Sequence, residues 1–281
     1  MPELPEVEIV RRGLGQYLGQ QKIVDCQILS PKSFRGDAGK IVGARILWFD
    51  RKGKLLVIGL DNSYSVLIHL RMTGQLIVVG KDHQWGAGHP NHSLIGKMPD
   101  RSTRVIIQLE DYSLYFNDLR KFGYIELWPT NSLADYPFIK KLAPDIVEIS
   151  LKGFENNLKR KAKSSIKAAL LDQTVVAGIG NIYADEATHS AGVRPDRLVS
   201  SLSVDEIAKV YQAANQVIKQ SIELGGSTSR NYLDVDGKKG KYLDFAQVYN
   251  REGQPCKTCS APIVKVKHAG RGTHYCPNCQ K

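Results

Sequence analysis

Met1-Pro2-Glu3-Leu4-Pro5-Glu6-Val7-Glu8 opens a segment whose apolar residues continue at Val10, Leu14 and Leu18, the spacing of one helix face, with Gly19 near its end. Pro2 and Pro5 suit a helix's first turn, where no backbone donor is lost, and Glu3 and Glu6 complement the dipole there. Just beyond this helix, expected over 3–19, the period of the pattern changes to two. Runs rich in Val, Ile, Leu and aromatics recur at 22–30, 43–49, 54–60, 64–71, 75–79, 104–109, 113–117 and 124–128, parted by Gly, Asp or Asn turns. One leading helix and eight short strands predict an antiparallel β-sandwich. The stretch 80–103 reads as a polar loop, and its histidines, His83, His89 and His92, lack the spacing of a metal set.

Residues 129–150, with Pro129, Pro137 and Pro144, read as a connector. Helices follow near 151–161, 164–172, 181–191 and 203–224, then a Gly-rich loop and a cysteine module. The expected fold is therefore α+β. A helix and β-sandwich occupy 1–129, a linker 130–150, a helical region 151–244 and a metal-bound hairpin 245–281. At 281 residues the chain is long enough for two cores and a small module.

Lys and Arg total 39 against 28 Asp and Glu, a formal charge of +11, which suits a polyanionic partner. Basic residues gather at 151–167 (Lys152, Lys159, Arg160, Lys161, Lys163, Lys167) and again from 238 to the end, where phosphate contacts are expected. No long apolar run, cleavable signal pattern or lipidation signal is evident, so a cytosolic protein without membrane association is expected.

Cys256-x2-Cys259 and Cys276-x2-Cys279, sixteen residues apart, have zinc-ligand spacing. Four thiolates close a tetrahedron with no open position, so the expected cofactor is one structural Zn²⁺ clamping a hairpin too small to fold alone. Cys26, in an apolar strand run, reads as a small buried hydrophobe.

Two further features bear on chemistry. If Met1 is removed, Pro2 becomes a secondary amine, and an amine titrating near pH ~8 can attack an electrophilic carbon. A capped helix start is the structural alternative. Gly178 and Gly180 precede Asn181, which reads as a helix N-cap whose turn could either approach a phosphate or simply join two helices.

The start Pro2-Glu3-Leu4-Pro5-Glu6-Val7 resembles that of the bacterial formamidopyrimidine-DNA glycosylases, base-excision enzymes for oxidised purines, and further motifs follow in the family's order. The resemblance implies that 170–192 is a helix-two-turn-helix whose Asn181 binds the DNA backbone. It also implies that Arg271, in Ala269-Gly270-Arg271-Gly272-Thr273, grips phosphates beside the lesion. His69-Leu70-Arg71-Met72-Thr73-Gly74 and Asp118-Leu119-Arg120-Lys121-Phe122-Gly123 are similar to the family's void-filling loops. Met72, Arg120 and Phe122 would then enter the duplex, with Arg120 facing the orphaned cytosine. Lys54 and His69 would contact phosphate and lesion site. The run from Gly225 through Arg230 to Lys241 would lie in a loop, 226–244, over the flipped base.

What the family implies for chemistry is a bifunctional glycosylase and lyase. Pro2 nitrogen attacks the sugar C1′ through a Schiff base, Glu3 moves protons, Glu6 supports the helix, and β- and δ-elimination cut the strand. The partner would be damaged double-stranded DNA and the protein a monomer. Two other readings stay open: a non-catalytic zinc-containing nucleic-acid-binding protein, and a glycosylase of the same fold that prefers oxidised pyrimidines. Glu3-Leu4-Pro5-Glu6, rather than the Glu-Gly-Pro-Glu of the endonuclease VIII branch, favours purines. Where many members carry Lys-His-x-His, this chain has Arg101-Ser102-Thr103-Arg104.

Overall fold

Helix α1 (Leu4–Leu18) forms where the period requires it, with Leu4, Val7, Val10, Leu14 and Leu18 all buried. Its start is a reciprocal capping box between Glu3 and Glu6, in which Glu6 Oε2 accepts the Glu3 N–H at 2.8 Å. The computed structural model describes residues 1–89, 94, 96–227 and 240–281. These fall into two units, Met1–Lys140 with Leu224–Lys241, and Lys141–Glu223 with Tyr242–Lys281.

Among the described residues the first unit holds ten strands: β1 (Ile23–Ile28), β2 (Phe34–Arg35), β3 (Ile46–Lys52), β4 (Leu55–Leu60), β5 (Tyr64–His69), β6 (Gly74–Val79), β7 (Gln84–Gly88), β8 (Thr103–Leu109), β9 (Ser113–Asp118) and β10 (Tyr124–Pro129). They make two five-stranded sheets, ordered β1-β8-β9-β6-β7 and β2-β10-β5-β4-β3. Pairing is antiparallel except between β10 and the two-residue β2, which run parallel. Helix α1 packs against β7 and β3, one edge strand of each sheet, and so closes one side of the sandwich. Gly13 permits this, since a Cβ there would lie 2.0 Å from the Trp85 ring of β7. The core joins Val7, Val10 and Leu14 to Leu56, Ile58 and Ile68 of one sheet and Leu76, Val105 and Phe116 of the other. Each such side chain contributes about 1.5–3 kcal/mol of burial.

The stretch expected to be loop throughout, 80–103, therefore contains a strand. In β7 the residues Trp85-Gly86-Ala87-Gly88 are buried although their composition is poor for a strand, because pairing with β6 and cover from α1 decide the matter. The connector stretch carries short 3-10 turns at Thr130–Asp135 and Ile139–Lys141, and its Tyr136 packs with Leu55, Val57 and Leu67. Cys26 is only half-buried, though packed against the core, and its thiol is pushed up to about 11 by burial and by Asp25.

The second unit holds α2 (Leu151–Lys159), α3 (Ile166–Leu171), α4 (Asn181–Ser190), α5 (Val204–Glu223), α6 (Tyr242–Phe245) and a hairpin of β11 (Val264–His268) and β12 (Arg271–Tyr275). Ser150 and Ser165 cap α2 and α3 through their hydroxyls. Helix α4 is the hub, packed on α3, α5 and β12. Its Glu186 is buried and accepts the N–H groups of Gln247, Val248 and Tyr249 at 2.8–2.9 Å, fixing the chain that leads into the cysteine module. Among the described residues no helix is long and apolar enough to cross a membrane.

Candidate functional site

Pro2 is buried and Glu3 only 3% exposed at the start of α1. Glu6 uses both oxygens. Oε2 takes the Glu3 N–H, while Oε1 takes the N–H and hydroxyl of Ser227, each at 2.8 Å. Gly226 lies close against this carboxylate with φ +86°, and a Cβ would be 3.2 Å from Oε1. Glu6 therefore ties the helix start to the stem of the 226–244 segment, while Glu3, next to Pro2 in sequence, turns its side chain to the Glu6 N–H in the capping box. With Met1 in place the free amine belongs to Met1; its removal transfers the amine to the buried Pro2 nitrogen.

Lys54 is not a surface lysine but is 6% exposed. His69, also buried, accepts the Arg71 N–H on Nδ1 at 3.1 Å, so its proton resides on Nε2. Burial, then the Arg71 and Lys54 charges, push its pKa down to about 3. The imidazole is thus a neutral N–H donor, able to hydrogen-bond an anion without a charge of its own.

The two segments similar to void-filling loops leave adjacent strand ends, since β6 begins at Gly74 and pairs there with Asp118, the last residue of β9. Met72 is half-buried, Arg120 is exposed, and Phe122 is 55% exposed despite its size. The Arg120 guanidinium lies 4.8 Å from the Phe122 ring centroid, a cation–π arrangement that holds both ready for a partner. An aromatic side chain left in water beside an arginine suits insertion into a base stack.

In the second unit Asn181 is the first residue of α4, not its cap. Gly180 takes the cap position with extended backbone (φ −131°, ψ −159°), which frees the Asn181 side chain. Its Nδ2 donates to the Gly272 carbonyl at 3.0 Å, joining the α4 start to the hairpin. Gly178, at φ +93°, makes the preceding turn possible. Arg271 is exposed and follows a tight turn whose residues Ala269 and Gly270 both have positive φ, as a type I′ hairpin requires.

The hairpin is held from beneath by a pair that the sequence pattern did not single out. Lys167 and Asp185 are fully buried with Nζ and Oδ1 2.6 Å apart. Lys167 also donates to Thr273 Oγ1 at 2.7 Å, and Asp185 Oδ2 accepts the His274 N–H at 2.8 Å. Lys167 belongs to the basic run expected to meet phosphate, yet it points inward. Its burial was hidden because α3 positions follow helical spacing, on which a lysine normally marks the wet face.

The four cysteine sulfurs lie within 4.8 Å of one another, with Cys256–Cys279 at 3.9 Å and Cys259–Cys276 at 3.5 Å. Thiolates about 2.3 Å from a tetrahedral zinc are separated by about 3.8 Å, so the donor set fits one structural Zn²⁺. Burial raises the Cys256 thiol, but N–H donors of Thr258 and Cys259, with His189 and Cys276, bring it down to about 7; Cys259, facing Asn278, falls to about 6. Burial raises Cys276 and the Cys259 sulfur raises Cys279, so Cys256 and Cys259 ionise first and a bound cation displaces the protons of the other two. Among the described residues no other His, Cys or carboxylate group is clustered for a metal. His83 is exposed and bonds Tyr17 at 2.6 Å. Lys241 is exposed, its N–H given to the Leu224 carbonyl at 2.8 Å. Arg230 and His92 lie outside the described residues.

Sequence-family profiles match three successive parts of the chain: the formamidopyrimidine-DNA glycosylase N-terminal domain over 1–125, the H2TH domain of the same glycosylase over 142–232, and the zinc finger found in FPG and IleRS over 253–281. A formamidopyrimidine-DNA glycosylase of Pelotomaculum thermopropionicum is 42% identical across 100% of this chain and 99% of its own length. That of Desulfitobacterium hafniense is 37% identical across 100% of both. Among solved structures, a Lactococcus lactis FPG mutant in complex with Fapy-dG-containing DNA superposes with TM-score 0.88 at 34% identity, covering 100% of both chains. The MutM (FPG) protein of Thermus thermophilus gives 0.86 at 36%, covering 99% of this chain and 98% of its own. The Lactococcus lactis Fpg has also been crystallised with DNA containing an abasic site.

Proposed function

The chain belongs to the formamidopyrimidine-DNA glycosylase family, and from that premise we infer a DNA glycosylase with AP lyase activity that acts on oxidised purines such as Fapy-dG. We propose Pro2 as its nucleophile. With Met1 removed, the Pro2 nitrogen adds to the sugar C1′ of a flipped nucleotide, the C1′–N bond to the base breaks, and an iminium joins enzyme to DNA. Glu3 is the proton carrier, giving a proton as the sugar ring opens and the base departs and taking one as elimination begins. Elimination at the 3′ and then the 5′ phosphate releases the strand ends.

The observation that carries this reading is the division of labour between the two carboxyl groups. Glu6 is engaged at both oxygens by helix start and loop stem, while Glu3, its side chain accepting the Glu6 N–H in the capping box, lies buried next to Pro2. Lys54 and the neutral His69 N–H approach phosphate and lesion; Asn181 and Arg271 hold phosphates on the second unit; Met72, Arg120 and Phe122 fill the vacated space. Lys241 belongs to the segment over the extruded base. Damaged double-stranded DNA is the partner, bound by a monomer in the bacterial cytoplasm.

The test is borohydride trapping on a duplex with 8-oxoguanine opposite cytosine. The covalent adduct should map to Pro2 and vanish in Pro2→Gly. Glu3→Gln should bind the damaged duplex yet release base at least about a hundredfold more slowly, the loss expected for a general acid. Full strand cleavage by Pro2→Gly overturns the nucleophile, and normal turnover by Glu3→Gln overturns the proton carrier.

A further inference from the structure

The two segments that carry Met72, Arg120 and Phe122 are joined by one carboxylate. Asp118 is fully buried. Its Oδ1 accepts the Thr73 hydroxyl and, at 3.2 Å, the Arg120 N–H, while Oδ2 accepts the Gly123 N–H at 2.7 Å. The Arg120 N–H is shared with Thr73 Oγ1 at 3.1 Å, so the hydroxyl of one loop contacts the backbone of the other. Arg104 fixes Asp118 from behind, giving Nε–H to its carbonyl at 2.8 Å and Nη1–H to the Arg101 carbonyl at 3.1 Å. The departure at Arg101–Arg104 therefore has a place in this chain, as a brace on Asp118.

A buried carboxylate is stable only when donors surround it. Here the donors come from both loops, so neither can settle without the other. Each loop also carries a non-glycine residue in the left-handed region, Arg71 at φ +51° and Lys121 at φ +56°. Such conformations persist only where neighbouring contacts over-determine them, and they cluster where geometry must be held for function. Both flank the wedge residues directly.

We propose that Asp118, acting through Thr73, is the positioning residue that locks the Met72 loop and the Arg120–Phe122 loop into a single wedge. The duplex is then opened by both loops in one register, with no independent motion of either. This inference rests on the assignment of Met72, Arg120 and Phe122 to filling the gap. The Asp118 carboxylate is fully buried and taken up by Thr73, Arg120 and Gly123, so it acts on the duplex through the loops it joins.

The experiment compares Thr73→Val, Thr73→Ser and Asp118→Asn in single turnover on two zinc-replete reactions. One duplex holds 8-oxoguanine opposite cytosine, whose base must be everted; the other holds a preformed abasic site, which has no base to extrude. Thr73→Val and Asp118→Asn should excise the base about tenfold or more slowly while cleaving the abasic site within about twofold of the unaltered rate, as expected for misplacement confined to the wedge. Thr73→Ser should restore excision. An equal fall on both duplexes, a Thr73→Ser as slow as Thr73→Val, or unchanged excision by all three overturns the proposal. Phe122→Ala is run beside them. If it excises at the unaltered rate, the wedge assignment fails and takes this inference with it. If it is slow while the Thr73 and Asp118 variants are not, the wedge stands and the lock is refuted.

Discussion

His69 and Glu8 show how single side chains set the acid limit of the first unit. The folded pKa of His69 lies at about 3, below the ~6.5 of an unfolded histidine. Above pH ~6.5 both states are neutral and nothing is lost; below it the unfolded chain binds a proton that the folded one refuses, so stability falls until the folded pKa is reached. Glu8 acts in the same direction. Although burial opposes its charge, hydrogen bonds from Arg11 and Arg12 lower it to about 2, so its contribution is complete above pH ~4.5 and is lost as pH falls toward 2. Denaturant titrations from pH 7.5 to 5 separate the two. Relative to His69→Gln, which cannot titrate, the unaltered protein should lose stability across this range. A constant difference would mean that His69 titrates in the fold as it does in the unfolded chain. The same neutrality makes His69 an N–H donor throughout the working range, so excision should show no ionisation from it between pH 5.5 and 8.

Among elements, the hairpin β11–β12 depends most on something outside its own sequence. Chelating zinc, or substituting Cys256→Ser, should unfold it and release Arg271 from its seat on Gly272–His274, with damaged-DNA affinity falling while the β-sandwich keeps its near-ultraviolet signal. Affinity retained after verified metal loss would make the hairpin dispensable for binding. A second support is testable at the same element. Lys167→Met leaves the buried Asp185 without its lysine cation and with only His274 beside it, which should cost about 3–5 kcal/mol, whereas Lys167→Met with Asp185→Leu should recover much of it. Equal unfolding midpoints for single and double variants would show that the pair carries no such penalty. These elements also show what was legible in advance. Helix α1 and most strands announce themselves by period, and the cysteines by spacing. The strand β7 does not, because Trp85-Gly86-Ala87-Gly88 is a strand only through its neighbours. The missing cap role of Asn181 and the burial of Lys167 escaped for a similar reason: spacing places a side chain on an element, but long-range partners such as Gly272 and Thr273 decide where it turns. Thr73 and Asp118 are 45 residues apart in sequence, and only the two Leu-Arg-containing loop motifs hinted that they belong together.

For the whole molecule, the charge of +11 makes DNA affinity salt-dependent, and the slope of that dependence can sort the assigned residues by kind. Each phosphate neutralised releases counterions and adds about −0.9 to the slope of log K against log salt. Arg271 is an exposed cation assigned to phosphate, so Arg271→Ala should weaken binding to damaged and undamaged duplex alike and shallow the slope by roughly one unit. Phe122 carries no charge. Phe122→Ala should leave the slope unchanged while narrowing the preference for damaged over undamaged duplex, because the exposed ring acts only once a base has left the stack. Binding isotherms between about 50 and 200 mM salt on both duplexes measure slope and preference together. A Phe122→Ala slope as shallow as that of Arg271→Ala would mean that the aromatic loop acts by placing nearby cations such as Arg120, not by occupying the duplex.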